Sequence, residues 1–336
     1  MVTEPCASVG QDLLSLNTVP YARTECRTGN PGFHEVMCLE LNSVEAVQKA
    51  LATQRYVCEE SLATAIFLAL RLPKPLLLEG EAGVGKTEVA KALAAILDTD
   101  LIRLQCYEGL DVSHAVYEWN YPRQMLAIRI LEDKSVARDE AMEEIFSSDY
   151  LIERPLLQAV RHKGKAPVLL IDEIDRADEE FEAFLLELLS DFQITIPEIG
   201  TIRAETPPIV IITSNRTREL HDALKRRCLY HWIDYPNVEK ELRIITAKVP
   251  GISERLAQQV AVFIHQLRRE DLYKLPGVAE TLDWAAALLA LNQQELTAEI
   301  ASATLGAILK HQEDVHAIRK NKLDSLVSTA TAASGS

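Results

Sequence analysis

The eight residues GEAGVGKT, from 80 to 87, have the composition and spacing of a phosphate-binding loop. They fit the pattern G-x-x-x-x-G-K-[ST], in which glycines let several backbone N–H groups point at one anion beside the start of a helix. In such a loop Lys86 reaches the β- and γ-phosphates of a nucleotide, and Thr87 is a ligand of Mg²⁺. The pattern requires a strand before it and a helix after it. The apolar run PLLLEG and the segment EVAKALA predict both.

Two acids, Glu79 and Glu81, stand beside the place where a phosphate would lie. We interpret both as solvated charges, with Glu79 at the end of the strand. The predicted nucleotide-binding residues run along the loop and include one acid of a later strand: Gly80, Glu81, Ala82, Gly83, Val84, Gly85, Lys86, Thr87, Glu88 and Asp172.

A second candidate element is VLLIDEID, residues 168 to 175, in which four apolar residues lead to two adjacent acids. Ligands of open α/β sheets bind at the carboxyl ends of strands, so Asp172 is placed to hold Mg²⁺ through water. Glu173 would polarise the attacking water, and an acid at this position favours hydrolysis over transfer to an organic acceptor. The alternative is a strand followed by an acidic turn, which the preceding phosphate loop makes weak.

Two later segments end in polar residues that could act on a nucleotide. PIVIITSN (208–215) ends in Asn215, which could orient the water beside the γ-phosphate or could simply open a turn or cap a helix; spacing alone favours the second interpretation. ALKRRCLY (223–230) contains Arg226 and Arg227. These arginines are either solvated or supplied to a neighbouring subunit's phosphate, and the second role requires an oligomer.

The elements that would position these residues alternate between strands and helices. Five apolar runs predict strands, and strand alternating with helix predicts an α/β fold with a mostly parallel sheet covered on both faces. From about residue 237 the strand signals stop, and apolar positions at helical spacing predict a small all-helical domain. We therefore divide the chain into a poorly ordered extension (1–40), an α/β domain (41–236) with an insertion near 107–131, a helical domain (237–324) and a disordered tail (325–336).

Composition narrows the possible partners and the compartment. The chain has 336 residues and a formal net charge of −15, which argues against a broad grip on nucleic acid. Six cysteines lack any C-x-x-C spacing, so neither a zinc ribbon nor a disulfide framework is expected, and a reducing cytoplasm is the simplest location. No signal peptide is visible, and the longest apolar stretch, residues 62 to 70, is too short to span a membrane.

Taken in order, these elements resemble an AAA+ ATPase over about residues 41 to 320. Within that superfamily the stretches LLLEGEAGVGKTEVAKALA, YEGLDVSHAVYEWNYPRQMLAIR, TIPEIGTIRAETPPIVIITSN and ALKRRCLYHWIDYP look most like the MoxR group. The phrase KLPGVAETLDWA (274–285) looks like the MoxR branch associated with the maturation of aerobic carbon monoxide dehydrogenase.

The resemblance implies roles for the residues already singled out. Lys86 and Thr87 match the Walker A pair, Asp172 and Glu173 match Walker B, and Asn215 matches sensor 1. Arg227 best matches the arginine finger, with Arg226 as the close alternative. Residues 107–131 correspond to an insertion in the second helix that lines the ring pore, where Trp119, Tyr121 and Arg123 either face the pore or pack the insertion.

The resemblance also implies a way of working. It implies an ATP- and Mg²⁺-dependent hexameric ring with nucleotide at subunit interfaces. It further implies a chaperone-like role in metalloenzyme or complex maturation, often with a von Willebrand factor A-domain protein. The chain departs from the family at the start of one lid helix, where a sensor 2 arginine often contacts the γ-phosphate. Here the sequence is GVAETLDW, with Glu280 and Thr281, so Arg216 or Arg218 would have to serve or lid coupling differs.

Three other functions compete with this interpretation. A GTPase is suggested by NKLD (321–324), but that motif follows a predicted helix and not a buried strand. A DNA-acting AAA+ motor or loader is disfavoured by the net charge. An ATP-binding scaffold without turnover is disfavoured by the intact pair Asp172 and Glu173.

Overall fold

A computed structural model describes residues 41–133, 142 and 144–333 of the chain. The predicted N-terminal extension, residues 1–40, lies outside the described residues, as do Cys6, Cys26 and Cys38.

A five-stranded parallel sheet forms the centre of the first domain. Its strand order is β2-β5-β8-β1-β9, and every neighbouring pair is parallel. The five strands match the five predicted apolar runs, so the predicted α/β class and parallel sheet are confirmed. Their bounds are β1 Leu76–Gly80, β2 Leu101–Gln105, β5 Val168–Asp172, β8 Ile209–Ser214 and β9 Leu229–Ile233.

Side chains alternate between the two faces of this sheet along each strand, and helices cover both faces. In β1, Leu77 packs into one apolar cluster, whereas Leu76 and Leu78 pack into the cluster on the opposite face. In β5, Ile171 joins the first cluster and Leu170 the second. The continuous apolar runs in the sequence are therefore strands covered by helices on two sides. These helices are α1 Val44–Thr53, α2 Glu60–Arg71, α3 Lys86–Leu97, α6 Pro155–Arg161, α7 Glu179–Asp191 and α8 Asp222–Arg227.

An insertion follows β2, where the sequence predicts one. Its described residues include α4 Val112–Ala115, β3 Tyr117–Trp119, α5 Tyr121–Asp133, a 3-10 turn at Ser148–Tyr150 and β4 Leu151–Glu153; β3 and β4 pair antiparallel. Trp119 is buried and packs edge-on against Phe146, with ring centroids 5.3 Å apart. Packing of the insertion, and not a pore-facing position, is therefore the correct interpretation for Trp119. Tyr121 is 62% exposed and Arg123 is exposed.

A hairpin separates α7 from β8. Its antiparallel strands are β6 Gln193–Ile196 and β7 Gly200–Arg203.

Six helices form the second domain, which we call the lid. They are α9 Val238–Lys248, α10 Glu254–Leu267, α11 Val278–Ala290, α12 Ala298–Ile308, α13 Gln312–Asn321 and α14 Leu323–Ala333. Their shared apolar core centres on Trp284 and Phe263, whose ring centroids lie 4.9 Å apart. None of the helices in the described ranges is long and apolar enough to cross a membrane.

The disordered tail predicted for residues 325–336 is wrong over most of its length. Residues Leu323–Ala333 form α14, and Leu326, Val327 and Ala330 are buried in the lid core. The small residues of STATAAS give only a weak helical signal, because the apolar face of α14 is narrow. The helix is stabilised mainly by packing against α10.

The packing of α14 leads to a stability prediction. We expect Leu326→Ala to lower the free energy of unfolding by about 2–5 kcal/mol, since it empties a buried site. The exposed neighbour Ser328 provides the control, and Ser328→Ala should change it by less than about 0.5 kcal/mol. Urea unfolding of both variants measures the difference. Equal, small effects would show that the tail does not pack.

Candidate active site

The candidate site lies at the carboxyl edge of the parallel sheet. There β1 runs into the phosphate loop, β5 ends at Asp172 and Glu173, and β8 ends at Ser214 and Asn215. Because β1 lies beside β8, and β8 beside β5, these polar ends converge although they are far apart in sequence.

The phosphate loop has the backbone of an anion cradle. Gly83 and Gly85 have positive φ angles of 78° and 94°, a region that residues with a Cβ atom avoid. Gly85 directly precedes α3, so the N–H groups of the loop lie beside the N-terminus of that helix.

Lys86 is buried at the start of α3. Its ammonium donates hydrogen bonds of 2.7 Å to the carbonyl oxygens of Gly80 and of Glu81. These bonds hold the side chain against the first residues of the loop. Burial lowers the pKa of Lys86, and nearby carboxylates, Asp175 first, oppose that shift. The two hydrogen bonds place Nζ of Lys86 inside the loop.

Asp172 joins three other strands or loops through its carboxylate. Its Oδ1 accepts hydrogen bonds from the hydroxyls of Thr87 at 3.1 Å and Thr213 at 2.6 Å. Its Oδ2 accepts one from Nε of Arg103 at 3.0 Å, and the two residues form an ion pair. The structure therefore brings together Thr87 and Asp172, the two predicted magnesium ligands.

Arg103 and Thr213 were not among the residues predicted from sequence. Arg103 belongs to β2, two residues before Gln105, the register partner of Asp172. Thr213 donates to Asp172 and accepts the backbone N–H of Glu173 at 2.9 Å, so one buried hydroxyl orients both acids. The polar end of IITSN was a usable signal for Thr213, whereas only strand order reveals Arg103.

Glu173 follows the strand in an uncommon conformation. Its φ of 57° lies in the left-handed region, which costs a residue with a side chain about 1–2 kcal/mol. The hydrogen bond from its N–H to Thr213 offsets part of this cost. Its carboxylate is half-buried and lies 3.2 Å from the guanidinium of Arg176. The chain changes direction here toward α7. A 3-10 turn, Ile174–Arg176, carries that change of direction.

Asp175, the third acid of DEID, holds the end of β8. It is buried, and it accepts hydrogen bonds from the backbone N–H groups of Asn215 at 3.1 Å and Thr217 at 2.8 Å, and from the hydroxyl of Thr217 at 2.7 Å. Asp175 therefore fixes the position of the Asn215 backbone relative to the two acids of β5. Sequence reasoning missed it because an acid in a turn has no visible partner until β8 is placed.

The three glutamates around the loop differ in environment. Glu79 is buried, so the interpretation of this residue as a solvated charge is wrong. The pKa of Tyr230 on β9 is raised, first by the burial of Tyr230 itself and then by the hydrogen bond and the charge of Glu79. Glu81 is exposed, as expected. Glu88 bonds Lys91 at 2.7 Å and Lys248 of the lid at 3.4 Å.

The paired arginines lie at the end of α8 and are both exposed. Arg227 donates to the hydroxyl of Ser190 at 3.2 Å. A finger role in a neighbouring subunit stays a prediction for both residues.

The two arginines considered as sensor 2 are engaged elsewhere. Arg216 lies over the ring of Trp232 at 5.7 Å. Arg218 donates to the carbonyl of Ala177 and pairs with the buried Glu182 of α7.

These residues fit a nucleotide with Mg²⁺. The cradle supplies N–H donors and a buried ammonium, and Thr87 and Asp172 supply adjacent oxygen atoms, the ligand type that Mg²⁺ prefers. Among the described residues, Cys58, Cys106 and Cys228 are free, and burial raises the pKa of each of these thiols to about 12.

Comparison with known families agrees with this arrangement. Residues 75–228 match the AAA domain of the dynein-related subfamily, a segment that runs from the start of β1 to the end of α8. This part of the chain is similar to that AAA domain, and it contains every residue discussed for the phosphate loop, the acids of β5 and the paired arginines.

Relatives and solved structures are similar at lower levels. An uncharacterized protein of Staphylococcus epidermidis is 25% identical over 251 residues, 73% of this chain and 86% of the relative. One of Staphylococcus haemolyticus is 24% identical over 263 residues, 76% and 91% of the two chains. RuvB of Thermotoga maritima, a Holliday junction branch migration motor, has a TM-score of 0.40 and 19% identity over 77% of this chain and 68% of RuvB. A Cytophaga hutchinsonii protein inferred to be an ATPase has a TM-score of 0.45 and 15% identity, over 89% and 97%.

The double role of Thr213 leads to a prediction. Thr213→Val keeps the shape of the side chain but removes its hydroxyl. The N–H of Glu173 then loses its hydrogen-bond acceptor, and Oδ1 of Asp172 loses one of its two donors. We expect the free energy of unfolding to fall by about 1–3 kcal/mol. Thr201→Val, at an exposed site of β7, removes the same hydroxyl as a control and should cost less than about 0.5 kcal/mol. Urea unfolding compares them, and equal losses would contradict the role of the buried hydroxyl.

Proposed function

We propose that the protein hydrolyses ATP with Mg²⁺ and uses the energy to remodel a protein partner. The observation that carries the proposal is the convergence of Lys86, Thr87, Asp172 and Glu173 at one edge of the sheet, with Thr87 and Asp172 in direct hydrogen-bond contact. The reaction converts ATP and water to ADP and phosphate.

The roles of the residues follow from their positions. Lys86 and the loop N–H groups bind the phosphates, and Thr87 and Asp172 hold Mg²⁺. Bound Mg·ATP supplies the phosphoanhydride bond and the metal's charge. Glu173 orients and polarises the water, and the hydroxyl of Thr213 keeps the backbone of Glu173 in place. We assign to Asn215, whose backbone is anchored on Asp175, the role of orienting the same water.

The competing functions find less support. NKLD spans the junction of α13 and α14 in the lid, so it does not follow a strand of the sheet. The two adjacent acids suit hydrolysis better than a scaffold that only binds ATP. The net charge of −15 still argues against a nucleic-acid motor.

The resemblance to MoxR proteins extends the proposal to an assembly. We infer a homo-oligomeric ring, hexameric by resemblance, in which Arg227 or Arg226 completes a neighbour's site. A von Willebrand factor A-domain protein and a metalloenzyme client, such as the carbon monoxide dehydrogenase type, are the proposed partners. The free cysteines among the described residues suit a reducing cytoplasm.

Replacement of Glu173 tests hydrolysis directly. Glu173→Gln should keep ATP binding and lower turnover by about 10²- to 10⁴-fold, because the amide cannot accept a proton from water. Glu180→Gln, an exposed acid of α7, should leave turnover unchanged. Phosphate release and ATP affinity are measured for both. Turnover that survives Glu173→Gln would remove the water-activating role, and the ATP-held variant serves as bait for the client.

Replacement of the paired arginines tests the ring. Arg226→Ala with Arg227→Ala should lower turnover on the order of 10³-fold without weakening nucleotide binding to a single subunit. Lys225→Ala on the same helix is the control. The ATPase rate and the oligomeric state are measured together. Full activity of the double variant in a proven monomer would refute a finger supplied in trans.

A further inference from the structure

We propose that the lid sets the conformation of the phosphate loop through a backbone clamp at Gly83, and that Gly277 is the positioning residue that allows it. The clamp consists of Gly83 on the loop and residues 277–279 at the start of α11. The inference rests on the proposed ATPase function, and it identifies how the lid acts on that same site without an arginine at the start of α11.

The clamp is made of main-chain hydrogen bonds. The carbonyl oxygen of Gly83 accepts the N–H of Val278 at 3.0 Å and the N–H of Ala279 at 3.3 Å. The first N–H groups of a helix have no partner within the helix. In α11 the phosphate loop supplies that partner, so docking of the lid satisfies two donors at once.

The clamp also orients the next donor of the loop. The peptide bond between Gly83 and Val84 is trans and planar, so its C=O and N–H point in opposite directions. With the carbonyl fixed on α11, the N–H of Val84 faces away from the lid. Backbone N–H groups of such loops form the anion cradle, so the clamp holds one of these donors in position.

Gly277 permits the close approach between lid and loop. A Cβ atom at this position would lie 2.8 Å from the carbonyl oxygen of Ala82 and 3.0 Å from Cα of Gly83, both on the loop, and 2.9 Å from Oε2 of Glu280 in α11. The backbone of Gly277 is itself ordinary, with φ of −79°, so alanine is allowed there by conformation and is opposed by the loop and by the carboxylate of Glu280. Substitution therefore separates the loop from the start of α11, and within the lid it displaces the end of the flexible Glu280 side chain.

A buried ion pair holds the clamp on the lid side. Arg268 donates from Nε to the carbonyl of Pro276 at 2.8 Å and forms a two-pronged pair with Glu241, with distances of 2.6 and 2.8 Å. Thr281 donates to the same glutamate at 2.7 Å. These contacts join α9, α10 and α11 directly behind Gly277, so movement of the lid helices is transmitted to the loop.

Glu280 shows that the start of α11 is built for the backbone clamp. Its Oε2 accepts the N–H of Gly277 at 3.0 Å, which caps the helix from within. At the place where the resemblance leads one to expect an arginine, this chain has a residue that organises the N-terminus of the helix.

Two further ion pairs keep the lid on the α/β domain. Lys240 pairs with Glu59 at 2.7 Å, and Lys248 with Glu88 at 3.4 Å. Both are at least partly exposed, so each contributes little alone and yields to changes in salt. The clamp at Gly83 is thus the contact that links the lid to the phosphate cradle itself.

A pair of glycine-to-alanine variants tests the clamp in the full chain. Gly277→Ala should weaken the affinity for Mg·ADP by at least 10-fold and raise KM for ATP to a similar degree, with a smaller effect on kcat. Gly306→Ala, inside α12 of the same lid, is the matched control because its Cβ would meet no atom within 4 Å. It should leave affinity and KM unchanged. Calorimetric titration with ADP, steady-state turnover and thermal unfolding are measured for both.

The pattern of results separates the possible explanations. A merely destabilised Gly277→Ala protein would lose active fraction, lowering kcat while KM stays unchanged, and that result would overturn the clamp, as would wild-type affinity and KM. A wild-type protein that neither binds nor hydrolyses ATP would refute the proposed function instead.

Amide exchange in the wild-type chain gives a test that needs no variant. Because coupling between two sites is reciprocal, Mg·ADP should slow exchange at Val278 and Ala279. Slowing at these two amides supports the clamp even if Gly277→Ala fails to fold. Exchange that is unchanged by saturating nucleotide would overturn it.

Discussion

The carboxylate of Asp172 is the contact on which the site depends. It receives Thr87 from the phosphate loop, Thr213 from β8 and Arg103 from β2, so four segments of the sheet's carboxyl edge meet at two oxygen atoms. A buried charge is tolerated only when it is paired and hydrogen-bonded, and these three partners meet that condition. The same partners fix the carboxylate beside the loop where a magnesium ligand is needed. Stability and chemistry therefore constrain the same side chain.

The acids that follow Asp172 have separate tasks. Glu173 is held by its backbone and keeps its carboxylate half-buried, which suits the proposed role of acting on water. Asp175 is buried and uses its oxygens to hold the end of β8. One short acidic segment thus supplies a candidate metal ligand, a candidate base and a structural anchor. The lid adds the backbone contact at Gly83, which joins the second domain to the cradle.

Much of the fold could be predicted because its signals are local. Five apolar runs became five strands, and the glycine loop became the turn into α3. The failures have physical causes. The helix at Leu323–Ala333 depends on packing that a sequence of small residues does not reveal. Glu79 is buried on an inner strand, where its register neighbours are Ser214 of β8 and Trp232 of β9. Trp119 packs against Phe146, which lies 27 residues later in the same insertion.

The sequence by itself determined the candidate residues for the chemistry: a phosphate loop, two acids at a strand end, a polar end to the next strand and a pair of arginines. These depend on residue type and short spacing, which a single chain displays. Only the tertiary structure decided which distant residues serve them. Arg103, Thr213 and Asp175 joined the site because strand order places β2 and β8 beside β5. The clamp at Gly277 exists because the lid folds back onto the loop within hydrogen-bond distance, and a contact between backbones almost 200 residues apart leaves no mark in side-chain pattern.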